Sequence, residues 1–241
     1  MINSKVILLI VEGKLDRYFY REYLGSFISS CFSNGEIKYK VTSGDVLTQN
    51  NPNGIKDSIE VQLKSALDEH KLDAEDIIYI AHLCDTDGSY LEESDFMVDQ
   101  MDSLDYGQNY KYALSNSKIY TKDAETRERL IASWRRKKSN QSVLINCNEV
   151  MGVPYRLYYN SMFLEHFLTG RIPRYSEDKR DCINYFFDEY SSFDQLVNYS
   201  DSKKISDDYM ESWELLKLPE NKMISATNLN IFFNDVRFLS N

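Results

Sequence analysis

Close cysteine pairs, long apolar runs and an excess of positive charge are all missing from this 241-residue chain. Its four cysteines, Cys31, Cys84, Cys147 and Cys182, are widely separated and lack the spacing of a zinc site, so they read as reduced core thiols. No apolar stretch approaches the roughly 18–20 residues that cross a bilayer. The opening MINSKVILLIVEG turns acidic at once and carries no small-residue cleavage site. A cytoplasmic protein with no membrane partner is therefore expected. A net charge of −10 argues against holding nucleic acid by bulk electrostatics. It leaves room for an enzyme acting on phosphates, because metal-dependent sites concentrate carboxylates. The chain also lacks an internal repeat, a low-complexity linker and a phosphate loop of the GxxxxGK(S/T) kind, so any ATPase partner is expected to be a separate protein.

What is present is an alternation of strand and helix patterns. KVILLIV at 5–11 is an almost unbroken apolar run, as expected for a strand buried on both faces. Phe19, Tyr23, Phe27 and Cys31 then recur every four residues, which predicts a helix over 15–31. Ile37, Tyr39 and Val41 alternate as a second strand, and Ile55, Ile59, Leu63 and Leu67 mark a second helix. IIYIAHLC at 77–84 reads as a third strand running into Asp85-Thr86-Asp87-Gly88. Residues 89 to about 117 are polar and acidic, with Glu92, Glu93, Asp95, Asp99, Asp102 and Asp105, and read as an insertion. A helix is expected over 124–138, a fourth strand at 142–146 (SVLIN), and a helical C-terminal region over 151–241, beginning with aromatics at helical spacing in 155–168. The expectation is an α/β domain over 1–150 with a mostly parallel, Rossmann-like sheet flanked by helices, and a helical region packed on it.

In a parallel sheet the functional crevice lies beyond the carboxyl ends of the strands. Glu12 follows the first strand, and Asp85 and Asp87 follow the third. Acids from both ends can converge at one rim, where they would repel one another without a cation. Hard oxygen donors of this kind suit Mg²⁺ or Mn²⁺. Arg127, Arg129, Arg135, Arg136, Lys137 and Lys138 form a basic cluster that reads either as a solvated helix face or, through Arg135 and Arg136, as a source of substrate contacts. His82 and His166 lie on apolar segments and read as hydrogen-bonded core residues.

VEGKLD at 11–16 together with DTDG at 85–88 resembles the TOPRIM domain of topoisomerases, bacterial primases, small ribosomal-RNA-maturing ribonucleases and OLD-family nucleases. The resemblance covers about residues 4–148. It implies a metal-dependent nuclease acting on DNA or RNA, with Glu12, Asp85 and Asp87 as catalytic metal ligands and Glu12 also serving in acid/base steps. Asp16 matches the motif too, although the start of a helix favours an acid on electrostatic grounds alone. Lys14, Ser43 and Gly44 would lie at the same rim, within reach of phosphate. NSMFLEHFLTG at 160–170 is similar to a segment of stand-alone RloB-like TOPRIM proteins linked to phage defence, although a Trp is absent and the Glu and His are out of register. That similarity adds Glu165 as a further ligand, while an amphipathic helix explains the same spacing. The family also implies a defence effector working with an ATPase, and the aromatic C-terminal half suits self-association. A topoisomerase is excluded by size.

Two other readings compete. HLCDTDGSY fits a phosphatase of the HAD type, with Asp85 as nucleophile and Asp87 as acid/base, but that motif normally follows the first strand of its domain. The third reading is a non-catalytic TOPRIM scaffold subunit.

Overall fold

Residues Lys5–Val11 form strand β1, and Val6 through Val11 have no exposed surface. The computed structural model describes residues 5–42, 44–99, 109–173 and 176–240. Helix α1 (Lys14–Cys31) follows and buries Phe19, Tyr20, Tyr23, Leu24, Phe27 and Ile28 against the sheet. Each of these side chains contributes roughly 1.5–3 kcal/mol of transfer free energy. Strand β2 (Gly35–Val41), helix α2 (Ile55–His70) and strand β3 (Ile77–Asp85) complete the first three strands of the sheet. Strands β4 (Phe96–Val98), β5 (Tyr110–Ala113) and β6 (Lys118–Thr121) precede the long helix α3 (Ala124–Ile145), which is capped by Asp123 through the Thr126 N–H at 2.7 Å. The short strand β7 (Glu149–Val150) leads to β8 (Val153–Asn160). Five helices finish the chain: α4 (Leu164–Thr169), α5 (Ser176–Glu189), α6 (Phe193–Lys203), α7 (Tyr209–Leu216) and α8 (Leu229–Ser240).

The main sheet has the order β2-β1-β3-β8-β7. β1 pairs in parallel with β2 and β3, β3 pairs in parallel with β8, and β7 closes the edge antiparallel to β8. Alternation along β1 divides the core. Ile7, Leu9 and Val11 pack with α1, α4, α5, α6 and α8 on one face, whereas Val6, Leu8 and Ile10 pack with α2, α7 and the end of α3 on the other. The chain leaves β1 for β2 on one side and later returns to place β3 on the other. The crevice between the carboxyl ends of β1 and β3 is therefore the switch point at which open α/β sheets bind ligands. α8 is tied to the sheet by Asp235, which accepts from Arg156 at 2.7 Å and from the Tyr158 hydroxyl at 2.5 Å.

Two expected elements are corrected. Residues 142–146 do not form the fourth strand, because α3 runs through them to Ile145. Leu144 and Ile145 continue the buried stripe of Ile131, Trp134, Lys137 and Gln141, so this apolar segment prolongs a helix face. The fourth parallel strand is instead β8, in a segment expected to be helical and beyond the boundary expected near 150. Its Tyr155, Leu157 and Tyr159 face one side of the sheet and Tyr158 the other, and both sides are covered.

The acidic insertion builds a second sheet of order β4-β6-β5, with residues 100–108, including Asp102 and Asp105, outside the described residues. Phe96 and Ile119 pack with Ile131, Trp134, Met162 and Phe163, which fixes this sheet beside the rim of the main one. Arg127 of α3 anchors it by donating to Phe96 O at 2.7 Å and Glu93 O at 2.8 Å.

Candidate metal centre

The carboxylate after β1 is followed by a tight turn at Gly13. Gly13 caps α1 in an extended conformation, and its N–H donates to Asp16 Oδ2 at 2.7 Å. A Cβ at Gly13 would lie 3.1 Å from that oxygen, so it is the close approach of Asp16 that favours glycine here. Asp16 thus fixes the turn with one oxygen, in a capping role, while lining the same cleft as Glu12.

The segment after β3 is held in an uncommon conformation. Asp87 has φ 50, in the left-handed region that Asp enters more readily than most residues, and Gly88 follows at φ 78. The loop is stitched to the turn after β8: Thr86 N donates to Asn160 O at 3.1 Å, Asp87 N to Met162 O at 2.7 Å, and Met162 N to Thr86 Oγ1 at 2.8 Å. The Asp85 N–H donates to Glu12 Oε1 at 3.2 Å, which joins the ends of β1 and β3 directly.

A third strand end also contributes. Asp45, after β2, accepts from Leu47 N at 2.8 Å through Oδ1. Ligand atoms of Glu12, Asp45 and Asp87 lie within 4.8 Å of one another, and this is the group of that kind found among the described residues. Asp85 lines the same cleft, although the expected trio of Glu12, Asp85 and Asp87 is not the one that converges within a single ion's reach. An all-carboxylate donor set of this reach fits Mg²⁺ or Mn²⁺.

A lysine stands among these acids. Lys137 Nζ is 2.5 Å from Asp87 Oδ2, 2.8 Å from Asp45 Oδ2 and 3.5 Å from Glu12 Oε1, and its side chain has no exposed surface. α3 is latched over the rim on both sides. Arg136 donates to Thr48 O at 2.7 Å and Asn140 to Leu47 O at 2.8 Å, while Gln141 accepts from Ser89 Oγ at 2.9 Å.

Burial pushes the Glu12 carboxyl well above its usual range; Lys137 opposes this, and Asp45, Asp87 and Asp16 reinforce it. Asp85 is raised by burial and by Glu12. Asp16 is raised to about 7 by burial and by Glu165. For Lys137, burial disfavours the charge, but Asp87, Glu12 and Asp45 outweigh it and hold the ammonium protonated. Three acids contact one lysine here, and ionising them all is the condition a divalent cation would relieve.

The other expected residues divide. Glu165, at the start of α4, is buried in the same cleft, with Lys179 of α5 at 3.8 Å. Lys14 lines the cleft and is exposed. Gly44, at φ 79, forms the turn before Asp45, and Ser43 lies outside the described residues. Arg135 pairs with Glu93 of the insertion, so Arg135 and Arg136 hold neighbouring segments and neither lines the cleft. His82 is a core residue whose Nδ1 meets the Tyr155 hydroxyl at 2.8 Å, and burial pushes it down to about 4. His166 is buried as well and is pushed down by that burial.

Asp45 and Lys137 are the residues that sequence reasoning does not single out. Asp45 adjoins a rim turn already marked by Gly44. Lys137 falls on the apolar stripe 131, 134, 141, 144 of α3, where a solvated basic face has no place. The cleft over the acids measures about 930 Å³, and Tyr110, Tyr112 and Phe163 line it together with Glu12, Asp16 and Asp85. No protein-family model, curated protein or solved structure matches the chain.

Proposed function

We propose that this chain is a metal-dependent phosphodiesterase, a nuclease of the TOPRIM kind. The observation that carries the reading is the meeting of Glu12, Asp45, Asp85 and Asp87 from three parallel strand ends at one side of an open cleft. Glu12, Asp45 and Asp87 would hold Mg²⁺ or Mn²⁺. Such an ion, when bound, stabilises the negative charge of a phosphodiester in transition and lowers the pKa of water. The family resemblance gives Glu12 an acid/base role as well, and Asp16 keeps the Glu12 turn in register. Lys14 and Lys179 supply positive charge at the mouth for phosphate. The family resemblance extends the proposal to a defence effector that acts with a separate ATPase and is weakly active alone.

The phosphatase reading draws on Lys137, because a lysine beside an aspartate is part of that chemistry. Here the ammonium contacts Asp87, Asp45 and Glu12, whereas the would-be nucleophile is Asp85. The two readings separate in one assay. With Mg²⁺ or Mn²⁺, the protein is expected to cleave bis(p-nitrophenyl) phosphate, and plasmid DNA or structured RNA, with and without the product of the neighbouring gene. Glu12→Gln is expected to abolish cleavage. Hydrolysis of p-nitrophenyl phosphate alone, surviving in Glu12→Gln and lost in Asp85→Asn, would establish the phosphatase instead.

A further inference from the structure

The aromatic lining of the cleft has a chemistry of its own. β5 belongs to the inserted sheet, and it brings Tyr110 and Tyr112 to the cleft together with Asn109. Tyr110 is 37% exposed although it sits in a cluster of rings. It meets Tyr112 at 5.7 Å and Trp134 at 6.1 Å, with interplanar angles of 85° and 89°, so neither neighbour stacks parallel to it. The cluster is braced from behind. Tyr112 lies 5.8 Å from Phe163, Trp134 and Phe163 are buried, and the Tyr112 hydroxyl donates to Asp87 O at 3.3 Å. A half-exposed ring, held by buried rings and by a tyrosine tied to the acidic loop, lines a cleft that also presents the acids and Lys14, Lys111 and Lys179.

We propose that Tyr110, supported by Tyr112, is a base-stacking subsite, and that the substrate is a single-stranded or unpaired stretch of nucleic acid rather than a regular duplex. This rests on the phosphodiesterase reading and names its substrate class. Aromatic faces bind unstacked bases of any sequence, and in a duplex those faces are already covered by neighbouring bases. A duplex also presents one charge per about 1.7 Å of axis and is held by extended basic surfaces. A chain of net charge −10 with three lysines, Lys14, Lys111 and Lys179, lining the cleft offers a stack in place of such a surface. A cleft of about 930 Å³ falls within the size of sites that enclose a small ligand, and so admits a short unpaired segment.

The test is binding of short fluorescein-labelled oligonucleotides, measured by anisotropy with Ca²⁺ in place of Mg²⁺, using DNA and RNA arms, single-stranded and blunt duplex forms, and an abasic oligonucleotide. Single strands are expected to bind about ten-fold or more tightly than duplex, with a shallow salt slope of no more than about −2 for up to three phosphate contacts. Tyr110→Ala is expected to weaken single-strand binding by about ten-fold and Tyr110→Phe by less than about two-fold, and Tyr110→Ala should have no effect on the abasic oligonucleotide. Duplex preference, or an equal loss on normal and abasic strands, overturns the proposal. Tyr110-dependent binding without cleavage in Mg²⁺, even with the product of the neighbouring gene present, would keep the subsite and remove the nuclease, whereas cleavage indifferent to Tyr110→Ala would keep the nuclease and remove the subsite. If Tyr110→Ala melts early, the comparison of wild type with Tyr110→Phe on normal and abasic strands decides: wild-type binding that is as tight to abasic as to normal strands overturns the subsite.

Discussion

The ammonium of Lys137 lies 2.5 Å from Asp87 Oδ2 with no exposed surface, so a cation belonging to the chain is already seated among the acids of the rim. Removing it leaves Glu12, Asp45 and Asp87 facing one another. Lys137→Met is expected to destabilise the metal-free protein by roughly 2–3 kcal/mol, somewhat under the cost of breaking a fully buried pair because the three acids keep some solvent contact. Mg²⁺ or Mn²⁺ should then raise the melting temperature of the variant more than that of wild type. An equal metal response in both proteins would mean that lysine and ion do not share the same acids.

Asp45 is expected to matter as much as Asp87. Asp45→Asn should weaken Mn²⁺ binding by about ten-fold, a loss of about 1.4 kcal/mol of metal-linked stabilisation read as a smaller melting shift. Calorimetric titration with Mn²⁺ is the direct check. A full metal response in Asp45→Asn, with loss only in Asp85→Asn, would return the ion to the trio expected from the motif alone.

The raised carboxyls give the metal-free protein a definite pH dependence. Asp16 has a folded value of about 7 against an ordinary 3.8, and Glu12, Asp85 and Glu165 are raised in the same sense, chiefly by burial. Between these values the folded state binds more protons than the unfolded state. Their contribution to stability is thus complete below about pH 4 and is lost as pH rises toward 7. Urea melts in EDTA should show stability from these groups declining from about pH 4.5 to 7, and saturating Mg²⁺ should flatten the decline. A metal-free protein whose stability increases across that range would contradict the assignment.

The Asp87-Gly88 turn should tolerate little change. Gly88 has φ 78, and a Cβ there would lie 3.1 Å from Leu91 Cδ1. Gly88→Ala is expected to cost about 1–2 kcal/mol, the left-handed penalty for a residue with a side chain. Because this turn also sets Asp87, metal affinity should fall together with stability. A destabilised variant with undiminished Mn²⁺ affinity would show that Asp87 is positioned by other contacts.

Local pattern alone was sufficient for β1, α1, β2, α2 and β3, because each has one period, clear punctuation and no competing assignment. The positions of Glu12, Asp85 and Asp87 at strand ends were legible for the same reason, but not which acids come within reach of one another. β8 was not: Val153, Tyr155, Leu157 and Tyr159 alternate with exposed Pro154 and half-buried Arg156, but Tyr158 and Asn160 are buried as well, and the aromatics running on to 168 give the segment a helical spacing that competes with the alternation. SVLIN misleads in the opposite direction, since Leu144 and Ile145 acquire meaning only as the end of a stripe begun at Ile131. The tertiary structure alone decided the roles of Asp45 and Lys137. A lysine in a basic run is solvated unless acids from distant segments close around it. Here Glu12, Asp45 and Asp87 come from three strand ends, and their spacing in the chain says nothing of the distance between their oxygens. Sequence specifies which residues stand at the rim, but the order β2-β1-β3 and the latch of α3 set which charges meet there.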